Sequence, residues 1–217
     1  MGKFDPSAAS DFAEIMDEHA DRSGLYLHSE TYEAFKQMYE HALRDSIHLV
    51  IRSATRNFDQ QKTIWEKKWN GVTNLSSGRS AADIPDEKQR CLEILKYSSM
   101  PGSSRHHWGT DIDLNAFNNQ YFESGEGKST YDWLVSHAAT YGFCQPYCEK
   151  NIQRPTGYEE EKWHWSYMPL SKRLTSLAKR HMNDRLIKGF AGAEQALHIE
   201  IVNNFVLGIN SACTIED

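Results

Sequence analysis

Long apolar runs are missing from this sequence of 217 residues. No stretch approaches the roughly 18 consecutive apolar residues that read as a membrane-spanning helix. The first residues, Met1–Pro6, also lack the charged segment followed by an apolar segment that marks a signal peptide. We therefore expect either a cytoplasmic protein or a mature form whose export leader is absent from this chain.

Cysteine is scarce. Four cysteines are too few for a disulfide scaffold, and they are Cys91, Cys144, Cys148 and Cys213. Two of them lie four residues apart without a second pair, so we do not expect a structural zinc knuckle. One or two disulfides in an oxidising compartment and free buried thiols both remain open at this point.

An excess of basic residues is also missing. The formal net charge is −6 and the sequence pI is about 5.9. A nucleic-acid-binding protein usually shows a basic face, so we expect no nucleic-acid partner. The charge says nothing about the substrate, because a small basic pocket can lie within an acidic protein.

Length and composition predict one compact domain. A chain of 25.0 kDa with 39% hydrophobic residues can bury a single core, and no stretch of the sequence resembles a linker. We expect residues 1–217 to form this domain. Residues 1–28 form a polar lead-in with a helical turn at 11–16, and residues 169–217 form a C-terminal helical segment.

The spacing of apolar residues predicts helices separated by short strands. Helical spacing occurs at about 30–45, 58–69, 86–97, 130–141, 171–183 and 191–206. β-branched or alternating runs predict strands at 48–52, 110–115, 142–144 and 163–167. The last of these is expected to be half-buried, with its aromatic residues on one face and His164 on the other. Polar loops are expected at 70–85 and 149–160, the latter over the site.

Two segments carry the side chains suited to chemistry. The first is Ser104–Asp113, which reads S-R-H-H-W-G-T-D-I-D, and the second is Glu161–Trp165, which reads E-K-W-H-W. Together they offer His106, Asp113 and His164. Two imidazoles and a carboxylate are a common catalytic zinc set, because three protein ligands leave the fourth position free for water.

Spacing alone leaves alternatives open in the first segment. His106 and Asp113 are seven residues apart and converge only if the chain bends, which Gly109 permits. Asp111 shares a strand face with Asp113, so either could be the ligand. Nothing in the spacing selects His107. Taken by itself, the segment is explained as well by surface histidines and charges at a strand edge.

Glu161 and Arg56 are candidate catalytic residues. Glu161 precedes His164 by three residues and could take the proton of a metal-activated water, although alone it could be part of an acidic loop. The pair lacks the second histidine of H-E-x-x-H, which disfavours a thermolysin-type peptidase. Arg56 lies between a strand and a helix, where it could clamp a carboxylate, stabilise an oxyanion or form a surface ion pair. The tryptophans are more simply core residues than a carbohydrate platform.

Together these segments resemble the zinc D-alanyl-D-alanine peptidases that include the vancomycin-resistance carboxypeptidases and dipeptidases. The first segment fits the pattern S-x-H-x-x-G-x-A-x-D, and the second fits E-x-x-H-W. An upstream S-G-Y-R-S-x-x-x-Q-type pattern is matched by Ser53, Arg56 and Gln61. The resemblance covers a catalytic core at about 48–168. It departs at Asp111, where the pattern usually has alanine, and at residues 54–55, where Ala-Thr replaces Gly-Tyr.

The resemblance implies a role for each residue of the site. One catalytic Zn²⁺ would be bound by His106, Asp113 and His164. Glu161 would act as general base and then as general acid. Asp111 would be a partner of a metal ligand or an additional charge near the metal.

Substrate-binding residues are implied in the same way. Arg56 would hold the developing oxyanion or a nearby carboxylate, while Gln61 and Ser104 would line the pocket. The implied fold is α+β, with a small antiparallel sheet that carries the zinc site and is flanked by helices, as in Hedgehog-like peptidases. The departure at residues 54–55 leaves the terminal residue of the substrate open.

The implied function is hydrolysis of a peptidoglycan stem peptide near its C-terminus, by a D-alanyl-D-alanine or L,D-carboxypeptidase. An endopeptidase of the same fold and a non-catalytic module that binds cell-wall peptides are the alternatives. Glu161 speaks against the binding module, since a binder has no use for a base. A peptidoglycan substrate implies the bacterial cell envelope or periplasm, with the cytoplasm as the alternative.

Overall fold

A computed structural model describes residues 1–214 of the chain, in which helices surround two antiparallel sheets. The helices are Ser29–Arg44 (α1), Phe58–Trp69 (α2), Glu87–Leu95 (α3), Gly125–His137 (α4), Met168–His181 (α5) and Ala196–Ile199 (α6). The strands are Phe12–Glu14 (β1), Tyr26–His28 (β2), Ile51–Ser53 (β3), Asp111–Leu114 (β4), Phe143–Cys144 (β5) and His164–Tyr167 (β6). Over the described range, no helix combines the length and the apolar character needed to cross a bilayer. The predicted α+β class is confirmed.

The larger sheet carries the polar side chains of interest. Its four antiparallel strands lie in the order β3-β4-β6-β5. Across β4 and β6, Asp113 pairs with His164 and Asp111 pairs with Ser166. Directly opposed residues share a face of the sheet, and residues two apart do so as well. These four polar side chains therefore lie on one face.

The opposite face of this sheet packs on a hydrophobic core. Ile112, Leu114, Trp165 and Tyr167 are buried there against side chains of α1 and α4. The expectation that β6 is half-buried is wrong, because all four of its residues are buried. Its polar face is covered as well, in part by the ring of Tyr147, whose centroid lies 4.7 Å from that of His164.

A second hydrophobic core joins α2 and α3 to the C-terminal segment. The indole nitrogen of Trp65 donates to the carbonyl of Ala191 at 2.8 Å, which connects α2 to that segment. A disulfide between Cys144 and Cys213 connects β5 to the end of the described chain. Of the tryptophans expected in the core, Trp65, Trp69, Trp163 and Trp165 are buried, while Trp108 is half-buried.

Helix α2 begins and ends where the sequence predicts. Asn57 accepts from the backbone nitrogen of Gln60 at 2.9 Å, and the Gln60 side chain accepts from the nitrogen of Asn57 at 2.8 Å. This reciprocal capping box satisfies two backbone donors that the helix itself leaves free. Helix α5 begins at Met168, three residues before the prediction, with Pro169 in its first turn, where a missing N–H is tolerated.

Other elements differ from the prediction. Residues 11–16 are not helical, because Phe12–Glu14 pairs with Tyr26–His28 as a small antiparallel sheet. Helix α4 begins five residues earlier than expected, and β3 lies at Ile51–Ser53 rather than at 48–52. The helix expected over 191–206 is divided into α6 and a π-helical turn at Val202–Val206, because Glu200 between them has a positive φ of 56°.

Candidate active site

His106 is presented by a short 3-10 turn, Arg105–Trp108, that ends at Gly109. Gly109 has a left-handed φ of 72°, and a Cβ atom there would lie 2.4 Å from the ring of Phe12. The bend that the sequence predicts therefore requires glycine for both conformation and packing. Nδ1 of His106 donates to the carbonyl of Ala54 at 2.7 Å, so Nε2 is the nitrogen left to face Asp113.

The strand pairing brings His164 and Asp113 together. Nδ1 of His164 lies 3.0 Å from Oδ1 of Asp113, and Nε2 of His106 lies 3.2 Å from Oδ2 of the same carboxylate. The ligand atoms of His106, Asp113 and His164 all lie within 4.8 Å of one another, and all three residues are buried. The structure thus places the predicted metal-binding side chains in one cluster.

This cluster fits a zinc ion. Nε2 of His106 and Oδ1 of Asp113 are buried and have no hydrogen-bond partner among residues 1–214. Burying polar atoms without partners costs free energy, and a cation bound between them would remove that cost. Two imidazoles and one carboxylate are a donor set that suits zinc and leaves a coordination position open.

The protonation states of two members match those of metal ligands. Burial acts to raise the pKa of Asp113, but the His106 and His164 rings outweigh it and hold this pKa well below its usual range. Burial and the charge of Arg56 lower the pKa of His106. Asp113 is therefore an anion and His106 a neutral imidazole near neutral pH, which are the forms that bind a metal ion.

His164 is held differently. Burial acts to lower its pKa, but the neighbouring carboxylates of Asp111 and Asp113 outweigh that and raise it to about 9. Its Nε2 lies 2.9 Å from Oδ2 of Asp111, on the side of the ring away from Asp113. A metal ion at Nδ1 would displace the proton that the charged ring carries on this nitrogen.

Glu161 lies beside the cluster. Its Oε2 is 3.4 Å from Nδ1 of His164. The main chain of Glu161 is fixed, since its nitrogen donates to the carbonyl of Tyr147 at 2.9 Å and its carbonyl accepts from Gln145 at 3.1 Å. Burial raises the pKa of Glu161 to about 8 against the pull of His164. The structure therefore places this buried carboxyl group next to the predicted ligands.

Arg56 is tied to the ligand turn through its main chain. Its nitrogen donates to the carbonyl of His106 at 3.2 Å, and its carbonyl accepts from Nδ1 of His107 at 2.6 Å. Nε2 of His107 accepts from the nitrogen of Gly102 at 2.9 Å. Both ring nitrogens of His107 are thus engaged, and burial lowers its pKa to about 3. His107 lies outside the ligand cluster and fixes the position of Arg56.

An open cleft with a volume of about 550 Å³ reaches the cluster. Arg56, Gln61 and Glu161 line it together with the three predicted ligands. Gln61 is buried, and its Nε2 donates to the carbonyl of Ser99 at 2.8 Å. Ser104 is buried before the His106 turn and is not among the described residues that line the cleft.

Several cleft residues escaped the sequence analysis. Tyr147 lies against the ring of His164, and Tyr158, in the loop expected over the site, lines the cleft. The two tyrosine rings contact each other with centroids 4.9 Å apart. Lys68 also lines the cleft and donates to the hydroxyl of Ser98 at 2.7 Å. Its position, seven residues after Gln61 on α2, places both side chains on one helix face, and this spacing was the available signal.

Comparisons with known proteins agree with this geometry. YodJ of Bacillus subtilis (strain 168) is 30% identical over 145 residues, which are 66% of this chain and 46% of YodJ. The chain spans about half the length of the curated relatives it matches. The structure of VanYB in complex with D-alanine-D-alanine superposes with a TM-score of 0.56 at 19% identity, covering 87% of this chain and 83% of that one.

A second solved structure, the vancomycin resistance D,D-pentapeptidase VanY in complex with Zn(II), gives a TM-score of 0.53 at 18% identity and covers 85% of this chain and 93% of that one. At identities this low, the two superpositions show a shared fold and nothing more. The family model described as VanY, D-alanyl-D-alanine carboxypeptidase, matches residues 24–170, which include every element of the larger sheet and the whole cluster. The chain therefore belongs to the VanY D-alanyl-D-alanine carboxypeptidase family.

Proposed function

We propose that the protein is a zinc-dependent carboxypeptidase that removes the C-terminal residue of peptidoglycan stem peptides ending in D-alanyl-D-alanine. The observation that carries this proposal is the convergence of His106, Asp113 and His164, with Glu161 beside them, in one open cleft. Membership of the VanY family supports the reaction class. The D-alanine-D-alanine and zinc complexes of the structural neighbours support the substrate and the ion.

Three residues would hold the zinc ion: Nε2 of His106, the carboxylate of Asp113 and Nδ1 of His164. When bound, zinc supplies Lewis-acid chemistry that polarises a carbonyl and acidifies water. The hydrogen bond from Nδ1 of His106 to Ala54 aims the opposite ring nitrogen at the site. This contact fixes the tautomer of His106 and prevents its ring from turning away.

Glu161 acts as the proton carrier. Its carboxylate takes a proton from the attacking water and returns it to the amine that leaves as D-alanine. The main-chain bonds to Tyr147 and from Gln145 hold it in place for both transfers. A cation in the cluster would lower the pKa of Glu161 from the value that burial produces, so the carboxylate form needed in a base is available.

Arg56 and Gln61 bind the substrate. The guanidinium of Arg56 lines the cleft, and its Nε is buried with no hydrogen-bond partner among residues 1–214. A cationic fork with a free donor suits either the oxyanion that forms on the scissile carbonyl or the terminal carboxylate. Oε1 of Gln61 is likewise buried and unpartnered over the described range, so it can accept a substrate N–H. Ser104 would support the ligand turn from behind.

An exported protein fits this role. The Cys144–Cys213 disulfide is typical of an oxidising compartment such as the bacterial envelope or periplasm. The proposed substrate is found in the same place. We therefore assign the protein to the cell envelope.

The test is a panel of defined stem peptides analysed by mass spectrometry. The zinc-loaded protein should release the terminal D-alanine from a pentapeptide that ends in D-alanyl-D-alanine. A chelator should stop the release, and added zinc should restore it. Release from the tetrapeptide alone would assign L,D specificity, and cleavage inside a cross-linked dimer would assign an endopeptidase. No zinc-dependent cleavage of any member would contradict the proposal.

Glu161→Gln tests the proton carrier in the same assay. We expect kcat to fall by about 10²–10⁴-fold, the usual contribution of general acid–base catalysis. Zinc content should stay at one ion per chain, because Glu161 is not a ligand. Glu160→Gln is the matched control, since it removes a neighbouring charge that does not line the cleft. A Glu161→Gln variant with parental kcat would show that another group moves the proton.

A further inference from the structure

Asp111 is the centre of a buried polar network behind the ligand cluster. Its side chain is completely buried. Oδ2 accepts from Nε of Arg105 at 3.0 Å and lies 2.9 Å from Nε2 of His164. Oδ1 accepts from the hydroxyls of Thr110 at 2.6 Å and Ser166 at 2.8 Å. Both carboxylate oxygens are therefore fully engaged.

Arg105 is held equally tightly. Its side chain is 1% exposed. Besides Asp111, it donates through Nη1 to the hydroxyl of Thr175 at 2.9 Å and through Nη2 to that of Ser166 at 2.7 Å. The guanidinium carbon lies 4.6 Å from the ring centroid of Trp108. Helix α5 and strand β6 thus both contribute to the cage around one guanidinium group.

The Arg105–Asp111 ion pair reduces the free-energy cost of burying two charged groups. A lone buried carboxylate or guanidinium costs several kcal/mol, whereas a pair with all its hydrogen bonds made is tolerated. Arg105 balances the charge of Asp111, so the carboxylate can remain ionised beside His164. An ionised carboxylate only accepts hydrogen bonds, so Nε2 of His164 must carry a proton. The lone pair of the neutral ring is then on Nδ1, the nitrogen that faces Asp113.

We propose that the buried Arg105–Asp111 ion pair is a positioning device for His164, which it holds with the proton on Nε2 and with Nδ1 directed at the metal. This inference rests on the proposed zinc site. The carboxylate also makes the imidazole a stronger donor, as partners of metal-bound histidines generally do. Arg105 acts only through Asp111, and neither residue touches the substrate.

Asp111→Asn tests the device, because it preserves shape and removes the charge. The metal-free variant is titrated with zinc against a chromophoric chelator. We expect its zinc affinity to fall by about 10–100-fold, the usual effect of losing such a partner. Trp133→Phe is the control for general destabilisation, since it removes a hydrogen bond to Asp45 in the core on the opposite face of the sheet. Its zinc affinity should match that of the parent.

Nitrogen-15 NMR of the zinc-loaded parent distinguishes positioning of the His164 ring from a general effect on stability, because it reports the protonation of each ring nitrogen. The His164 ring should show its proton on Nε2 and the metal on Nδ1. In Asp111→Asn the Nε2–H signal should move upfield, because it loses its bond to a charged acceptor. The signals of the His106 ring, which donates to a main-chain carbonyl, should stay in place.

The outcomes separate this inference from the proposed function. A parent chain that binds no zinc contradicts both. A parent that binds zinc through Nε2 of His164 overturns the inference alone, and this measurement needs no variant. An Asp111→Asn protein that folds and binds zinc within twofold of the parent overturns it as well. If Asp111→Asn fails to fold, the assignment of the metal-bound nitrogen of His164 in the parent decides the proposal alone.

Discussion

Asp111 and Asp113 leave the same face of β4 two residues apart, yet their surroundings differ completely. Asp113 faces the cleft, contacts two histidine rings and keeps one oxygen without a hydrogen-bond partner in residues 1–214. Asp111 faces the packed interior, where its carboxylate accepts hydrogen bonds from Arg105 and from two hydroxyl groups. Two aspartates on one strand thus differ in hydrogen bonding: both carboxylate oxygens of Asp111 have partners, and one oxygen of Asp113 has none within residues 1–214.

This difference assigns the two aspartates different roles, metal binding for Asp113 and orientation of His164 for Asp111. The carboxylate of Asp113 is available to a cation, because a bound cation would remove the cost of burying an oxygen without a partner. The satisfied carboxylate is available only to orient its neighbour, since its oxygens have no capacity left. Strand position alone does not distinguish the two residues. The neighbours on that face make the distinction, because Arg105, itself held by Thr175 of α5, lies beside Asp111, while the cleft lies beside Asp113.

Removing the cleft-side carboxylate should produce the largest effect. In Asp113→Ala one of three ligands is lost, so we expect no stoichiometric zinc after dialysis and no measurable release of D-alanine. Elemental analysis and the peptide assay check this. The unliganded fold should survive, because the histidines lose only a neighbouring charge. Retention of one zinc ion per chain would contradict the assignment of Asp113 as a zinc ligand.

Removing the cation on the packed side should chiefly affect folding. Arg105→Met leaves Asp111 as an unpaired buried charge, so we expect the free energy of unfolding to fall by about 3–5 kcal/mol. Urea denaturation of the metal-free protein measures it. A loss below 1 kcal/mol would mean that Asp111 takes up a proton or finds other partners, and the two aspartates would then be less different than the structure indicates.

The smallest effect is expected at the outer edge of the same network. Thr175→Val removes one acceptor of Arg105 and leaves the pair to Asp111 intact. We expect a loss of about 1–3 kcal/mol in the free energy of unfolding, the cost of one unsatisfied buried donor. Zinc affinity should stay within twofold of the parent. A larger change in zinc affinity would show that the network transmits strain beyond its hydrogen bonds.

Much of the site was predictable because its residues occur in short, ordered patterns. The two-histidine, one-aspartate set and Glu161 needed only a bend at Gly109 and one strand pairing to meet. The choice between Asp111 and Asp113 was not decided by spacing, since both lie on one face. Their difference depends on Arg105 and Ser166, whose contacts with Asp111 carry no local sequence signal.

The fold was predictable where local forces decide it. Helix α2 follows from its capping residues and its apolar spacing. The β1–β2 sheet was missed because three-residue strands have little propensity of their own and depend on pairing across the intervening loop. The division of the last helical segment at Glu200 depends on the second core, which collects residues from several distant parts of the chain.

X-ray diffraction from zinc-loaded crystals, recorded on both sides of the zinc absorption edge, tests the central claim most directly. We expect a single anomalous peak bounded by Nε2 of His106, the Asp113 carboxylate and Nδ1 of His164, with Glu161 beside it and not bound. A peak elsewhere, or none among these side chains at saturating zinc, would contradict it.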